Sequence, residues 1–234
     1  AERSEGEKMD GVPTGGVQIR AVREPGWVVT YAALQDHVVT VQPNVNTPNV
    51  DFGNAKSFDF GDAPSPYATR EGQGGASHGV LVGFQLGDLV DGETDGIPEA
   101  TALGDDLDNE ADEDGVVLPE RMFAGMSSTA NVTISTGPYS PGALQGWIDF
   151  NGNGSWNDPG EQIVKDMVLT DGTYPISFTV PVGSVVGTSF ARFRYGYERG
   201  IGPTGTAMAG EVEDYAVLLL KDEPVANDDP DEVV

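Results

Sequence analysis

The chain has no cysteine, which excludes disulfides and thiolate metal sites. It has only 2 histidines, too few for a poly-His zinc or iron centre. Basic residues are scarce, with 12 Lys and Arg against 38 Asp and Glu and a formal net charge of −26. Nucleic-acid binding through phosphate neutralisation needs a basic footprint that is missing here. Docking on an anionic membrane surface needs the same. No apolar run approaches the ~18 residues of a helical membrane span, so no membrane insertion is expected. No leader pattern opens the chain, and we expect a processed fragment. Uninterrupted helix-forming stretches are also lacking. The 234 residues include 32 glycines and 16 prolines, which punctuate the backbone and disfavour long helices.

What the chain has is acid, unevenly placed. Self-repulsion of this size opposes compactness. It is relieved either by spreading carboxylates over a solvated surface or by clustering them around hard cations with oxygen ligands. Residues 1–16 are polar and aperiodic and are expected to form a tail. Residues 17–55 contain short alternating runs (VQIRAV, WVVTY, HVVTVQP, VDF) between Pro, Gly and Asn turns, the pattern of strands. Residues 56–116 change character. No Lys or Arg occurs between Arg70 and Arg121, and 12 of the 27 residues from Asp88 to Asp114 are acidic. High charge and low hydrophobicity can mean disorder. Here, however, Phe84, Leu86, Leu89, Val90, Ile97 and Leu107 are interleaved with the acids, which favours an irregular segment folded around cations. Residues 117–220 return to β patterning in STANVTIST, ALQGWIDF, YPISFTV, SFARFRYGY and EDYAVLLL. The expected fold is all-β, an antiparallel β-sandwich preceded by an acidic calcium-binding segment and an incomplete N-terminal sandwich portion. Residues 221–234 are expected to be a linker or the first strand of a next repeat.

Two features point to metal. The first is the run from Asp149 to Glu161. Oxygen side chains at Asp149, Asn151 and Asn153 alternate, Gly154 permits a sharp turn, Ser155 offers a carbonyl, and Glu161 closes the shell. This follows the logic of an EF-hand calcium loop. Two departures stand out: only the first of the three leading ligands is charged, and the closing acid sits at position 13. Strands, not helices, flank the loop. The metal-free alternative is an Asx-rich hairpin turn. The second feature is the acidic segment, with three knots: Asp91, Glu93 and Asp95; Asp105, Asp106 and Asp108; and Asp112, Glu113 and Asp114. Carboxylates this dense cannot all ionise in one folded knot without counter-ions. Calcium takes six to eight oxygens in irregular geometry and suits such a segment better than magnesium. The alternative for any single acid is a solvated face.

No H-E-x-x-H, G-x-S-x-G or P-loop pattern is present, and the pair of histidines, His37 and His78, makes no triad. Carboxylates are so numerous that a pair at glycosidase spacing carries no signal. We therefore expect no enzyme.

Residues 17–54, through VREPGWVVT and VDFGN, resemble the end of a B-type repeat of serine-aspartate-rich bacterial surface proteins, a sandwich related to collagen-adhesin B domains. Residues 58–116, with FDFGDAPSPY, GASHGV and LGDLVDGETDG, resemble the acidic lead-in to the GEVED domain of large bacterial secreted proteins. Residues 117–220 resemble that domain itself, through WIDFNGNGSWNDPGEQI, ARFRYG and Gly210 to Tyr215. Pro224 to Asp229 looks like the opening of a cadherin-like or immunoglobulin-like repeat. The resemblance implies a multi-domain extracellular protein of the bacterial cell surface and little about chemistry.

Within the signature, alternation puts Glu211 and Glu213 on one side of the last strand and Asp214 on the other. Arg192 and Arg194 share a face of a neighbouring strand. Either the arginines pair with these acids, or Glu213 and its neighbours complete the calcium shell of the Asp149 loop.

Three roles are open. One is a calcium-stiffened structural or adhesive module with a surface ligand. Another is a carbohydrate- or protein-binding accessory module of a secreted enzyme, which an exposed platform at Trp27, Trp147 or Trp156 would favour. The third is a subunit that joins copies of itself head to tail into a filament through its tail strands.

Overall fold

The computed structural model describes residues 15–20, 27–31, 36–43, 53–104 and 112–221. The expected tails, apart from Gly15, Gly16 and Lys221, lie outside the described residues, as do Asp105, Asp106 and Asp108.

The described chain is almost entirely β, as its turn density and alternation require. In chain order the strands are Gly15–Arg20 (β1), Trp27–Tyr31 (β2), Asp36–Val41 (β3), Gly53–Lys56 (β4), Phe58–Phe60 (β5), Ser77–Gly79 (β6), Gln85–Leu86 (β7) and Val116–Val117 (β8). They continue with Met122–Phe123 (β9), Ser127–Ser135 (β10), Gly142–Ile148 (β11), Gln162–Leu169 (β12), Gly172–Thr179 (β13), Gly187–Gly196 (β14), Thr206–Ala207 (β15) and Gly210–Leu220 (β16). The helical elements among the described residues are single 3-10 turns at Glu71–Gln73 and Gly137–Tyr139. Before residue 57 the strands form two antiparallel ladders, β1 with β3 and β2 with β4.

The remainder is a sandwich. One sheet runs β12-β11-β14-β16-β9; the other is built on β10, which pairs with β13, β7 and β8. Strand β10 shows the period-2 rule plainly, with Ala130, Val132 and Ile134 buried and the residues between them more exposed. They meet Leu144, Ile148, Ala191, Phe193, Tyr195, Val217 and Leu219 from the facing sheet in a single core. The acidic segment contributes to that core directly. Phe84 and Leu86 are fully buried in it, and β7 and β8 extend the β10 sheet.

Strand β11 is buried on both faces, because a third layer covers the outer side of its sheet. That layer is the lead-in from Gly61 to Ala76 together with β5, β6 and β15. Beneath it lies a second cluster of Ala63, Tyr67, Trp147 and Trp156, with Phe190 against it. Tyr67 stacks on Trp156 at 4.2 Å between centroids, and the Arg192 guanidinium lies 4.4 Å from the Trp156 ring.

Arg192 and Arg194 are fully buried under this layer. Arg192 forks onto Asp214, donating from Nε to Oδ1 at 2.7 Å and from Nη2 to Oδ2 at 2.6 Å. Its Nη1 donates to the carbonyls of Ala68 and Pro203. Arg194 instead takes the carbonyls of Gly202, Thr204, Ser77 and Gly205, and donates from Nε to His78 Nε2 at 3.1 Å. Burial and the neighbouring Arg192 lower its pKa to about 9. His78 faces the Ala209 carbonyl through Nδ1, and burial holds it neutral well below the usual histidine range. The lead-in is thus sewn to the sheet by two arginines. Gly61 fits the close approach because a Cβ there would stand 2.4 Å from Asp214 Oδ2 and 2.6 Å from Arg192 Nη2.

Replacing Asp214 by Asn would leave the buried Arg192 charge without its counter-charge. We expect a loss of about 3–5 kcal/mol, read as a lower urea midpoint at an unchanged slope. Arg192→Lys, which cannot fork onto Asp214, should likewise lower the urea midpoint.

Candidate metal centre

Strand β16 divides the signature acids between two environments. Arg192 lies opposite Asp214 and Tyr195 opposite Glu211. Residues directly opposite share a face, so Asp214 faces the arginine layer while Glu211 and Glu213 face inward beside Phe193 and Tyr195. The arginine pairing expected from the sequence is met at Asp214 alone. Glu211 and Glu213 are 0% and 1% exposed, and their partners are backbone amides of the acidic segment.

Each glutamate is held by one oxygen. Leu86 N–H donates to Glu211 Oε2, and Gly115 N–H donates to Glu213 Oε1 at 2.7 Å. Of the other oxygens, Glu211 Oε1 is buried and accepts no hydrogen bond. Two more buried carboxylates come from distant segments. Asp59 of β5 accepts the Val212 N–H on the edge of β16, and Asp112 accepts the Asp91 N–H at 3.0 Å. Oxygens of Asp59, Asp112 and Glu211 lie within 4.8 Å of one another. Opposed ligands in a calcium shell are separated by about 4.6–5.2 Å, twice the Ca–O distance. An all-carboxylate, dry, irregular cage suits a hard cation with oxygen preference and offers nothing to a thiophilic metal. The residues fit calcium.

Electrostatics agree with geometry. Burial is the largest cause pushing Glu211 well above the usual carboxylate range, followed by the charges of Glu213, Asp59 and Asp112. Burial likewise raises Glu213 to about 8, with Asp114 and Asp112 adding to it. The Tyr215 hydroxyl, a hydrogen-bond partner of Glu213, favours its charged form.

The two described knots of the acidic segment, Asp91 to Asp95 and Asp112 to Asp114, do not stay together. Asp91 and Asp112 come together beside the glutamates. Glu93 accepts the Phe60 N–H at 2.9 Å and flanks β5. Asp95 accepts the Glu71 and Gly96 N–H groups and lies 3.8 Å from Arg70. Asp114 accepts the Asp88 N–H at 2.9 Å, closing the turn around Gly87. Asp59 and Glu211, two of the three converging acids, were not singled out as ligands by the sequence. Their signal was local: a lone acid in the apolar FDF triplet, and an acid on the inward face of an apolar strand.

The Asp149 loop lies elsewhere, between β11 and β12. Asp149 is fully buried and accepts the N–H groups of Gly152 and Gly154 and the Tyr67 hydroxyl at 2.6, 2.9 and 2.7 Å. Asn151 and Asn153 both donate to Asp158 Oδ2, and their own oxygens accept the N–H groups two residues on. Ser155 Oγ accepts the Asn157 N–H. Glu161 receives the Asp158 N–H at Oε2, while Oε1 is buried and unpaired. Burial, then the Asp149 charge, raises Glu161 to about 7. The loop is an Asx-turn network with one closing carboxylate oxygen to spare. Beside it runs a groove lined by Asn157, Asp158, Gln162 and Lys165. The tryptophans against this groove, Trp147 and Trp156, are each 3% exposed, so neither offers a stacking platform. The side chain of Trp27 lies outside the described residues.

The glutamates set the pH response of the metal-free protein. A carboxylate raised to about 8 in the fold, against about 4.3 unfolded, binds more protons folded than unfolded between those values. Stability therefore falls as pH rises through that window. In chelator, the melting temperature should climb as pH is lowered from 8.5 to 6.5. His78, held neutral, acts oppositely only below about 6.5. Glu213→Gln should flatten the trend, and an unchanged slope in that variant would exclude Glu213 as its source.

No curated protein matches the chain. Residues 143–218, from the second residue of β11 to near the end of β16, match the family model of the GEVED domain.

Proposed function

We propose that the chain is a non-enzymatic, calcium-stabilised structural or adhesive module of an extracellular bacterial surface protein. The observation that carries this reading is the convergence of Asp59, Asp112 and Glu211 at mutual distances within 4.8 Å, with a buried glutamate oxygen left without a donor. The three acids belong to segments 53 and 99 residues apart in the chain (112 − 59 and 211 − 112). A cation between them closes long loops and ties the lead-in to the last strand, so its binding energy is folding energy. The family match over residues 143–218 supports the resemblance of this part of the chain to the GEVED domain. The Asp149 loop, with its spare Glu161 oxygen, is a second calcium position in this reading. The surface ligand of an adhesive module and head-to-tail joining through residues 1–16 and 221–234 belong to the same proposal. An accessory carbohydrate-binding role is less well supported, given the burial of Trp147 and Trp156.

The test is thermal unfolding of chelator-stripped protein with calcium added back, paired with calorimetric titration. A cation bound by the native state alone stabilises by RT ln(1 + [L]/Kd), about 2.7 kcal/mol per site at a hundredfold excess over Kd. We expect a calcium-dependent rise that sodium chloride at equal ionic strength does not reproduce. Full rescue by sodium chloride would reduce the effect to screening and overturn the reading. Asp149→Ala should remove one calorimetric equivalent and leave the cluster's binding in place.

A further inference from the structure

We propose that the loop between β11 and β12 carries two gated modification sites, at which Asp149 holds off deamidation of Asn151 and Asn153 at their peptide bonds to Gly152 and Gly154. The chemistry is independent of any cation.

Deamidation is an intramolecular acyl transfer. The backbone nitrogen that follows an asparagine loses its proton and attacks the side-chain Cγ. The new C–N bond closes a succinimide ring, and the side-chain nitrogen leaves as ammonia. Water then opens the ring to an aspartyl or isoaspartyl residue. A glycine at the following position removes the Cβ that would obstruct the attack. Asn151 and Asn153 are each followed by glycine, and no other asparagine of the chain is. Both are exposed to water. The fold cannot give these glycines up. Gly152 and Gly154 have φ of +67° and +82°, and a Cβ on Gly154 would stand 2.1 Å from Pro66 Cγ.

The reacting groups are all held, but unequally. Asn151 Oδ1 accepts the Asn153 N–H at 3.0 Å, and Asn153 Oδ1 accepts the Ser155 N–H at 2.9 Å. These bonds polarise the carbonyls and do not protect them. The side-chain amines donate to Asp158 Oδ2 in exposed contacts, where water can take its place. The nucleophiles are held differently. Gly152 N–H donates to Asp149 Oδ1 at 2.6 Å, and Gly154 N–H donates to Asp149 Oδ2 at 2.9 Å. That carboxylate is fully buried and is fixed in turn by the Tyr67 hydroxyl. Deprotonating either nitrogen in place would set a second negative charge against it. Each amide must therefore leave Asp149 before its ring can close. Breaking one hydrogen bond to a charged group slows that step about ten- to a hundredfold. Once it occurs, the modification is irreversible, because ammonia is lost. It also replaces a donor to Asp158 with a like charge, which loosens the loop further.

The experiment incubates the full chain in chelator at mildly alkaline pH and follows both sites by peptide mass spectrometry. Wild-type protein in urea is the ungated reference, and circular dichroism establishes which variants are folded. We expect Asn151 and Asn153 to react about ten- to a hundredfold more slowly in the folded wild type than in urea. Asp149→Ala should bring both sites close to the urea rate. Asp149→Asn keeps the shape and one acceptor oxygen, and should release at least one site. Asp158→Ala frees both side-chain amines but leaves the glycine amides held, and should stay near the wild-type rate. Folded wild type reacting at the urea rate, or a folded Asp149 variant reacting as slowly as wild type, would overturn the gate. Acceleration in Asp158→Ala equal to that in Asp149→Ala would overturn it too, because side-chain anchoring would then be the barrier. If neither Asp149 variant folds, amide hydrogen exchange in the wild type decides: slow exchange at Gly152 and Gly154 supports the gate, and free exchange defeats it. Failure of the gate leaves the calcium reading standing, since no step here involves a cation.

Discussion

The structure depends on the seam where inward-facing acids of β16 meet the acidic segment. Three carboxylates within 4.8 Å of one another repel by about 3.5 kcal/mol per pair at an effective dielectric of 20. Three such pairs approach the whole stability of an ordinary domain, about 5–15 kcal/mol. The seam therefore needs protons or counter-charge, and burial raises Glu211 well above the usual carboxylate range and Glu213 to about 8. The same seam carries backbone hydrogen bonds from Leu86, Gly115 and Val212 to these acids. Whatever neutralises the acids also fixes β7, the turn before β8 and the edge of β16. Burial is tolerated at this point because it is the joint between segments.

The opposite face of β16 solves a different problem. Asp214 neutralises Arg192 in a fork, and Arg194 is solvated by four carbonyls and the neutral His78. Protein-donated hydrogen bonds replace water around both cations, so the lead-in from Gly61 onward becomes a true third layer. The stacked Tyr67 and Trp156 extend that layer to the Asp149 loop, where the Tyr67 hydroxyl caps Asp149. Three-residue alternation in the GEVED signature thus sends its acids to two separate tasks.

Much of this was legible in the sequence. Alternation in STANVTIST gave the inward positions of β10, and the split of Glu211 and Glu213 from Asp214 followed from period 2. The buried Phe84 and Leu86 were visible as apolar residues among acids. Leu89 and Ile97, read by the same rule, are exposed at 40% and 37%, because the chain there runs as irregular loop without a fixed period. The trio itself was not legible. Asp59, Asp112 and Glu211 are brought together by the tertiary path of the lead-in, and the local mark on Asp59, a lone acid between Phe58 and Phe60, does not say which other acids it will meet. The Asp149 loop was the reverse case: its spacing was conspicuous, yet most of its oxygens are occupied by Asx turns, which the same spacing also satisfies.

The match over residues 143–218 spans β11, β12, β13, β14, β15 and most of β16, and leaves out most of what completes them. Strand β10 lies before it, together with β7, β8 and β9. So do Leu81, Phe84, Leu86, Val116, Met122, Ala130, Val132 and Ile134 of the core. Without those residues the inner face of β14 would lose its facing sheet, and β13 would lose its partner. The inward glutamates would lose both amides that hold them. Among the described residues, the physical unit therefore runs from near Ser57, where the lead-in joins β5, through β16. The acidic segment is an integral part of this unit. Its residues join layers directly: Glu93 accepts the Phe60 N–H, and the Leu86 and Gly115 N–H groups donate to Glu211 and Glu213.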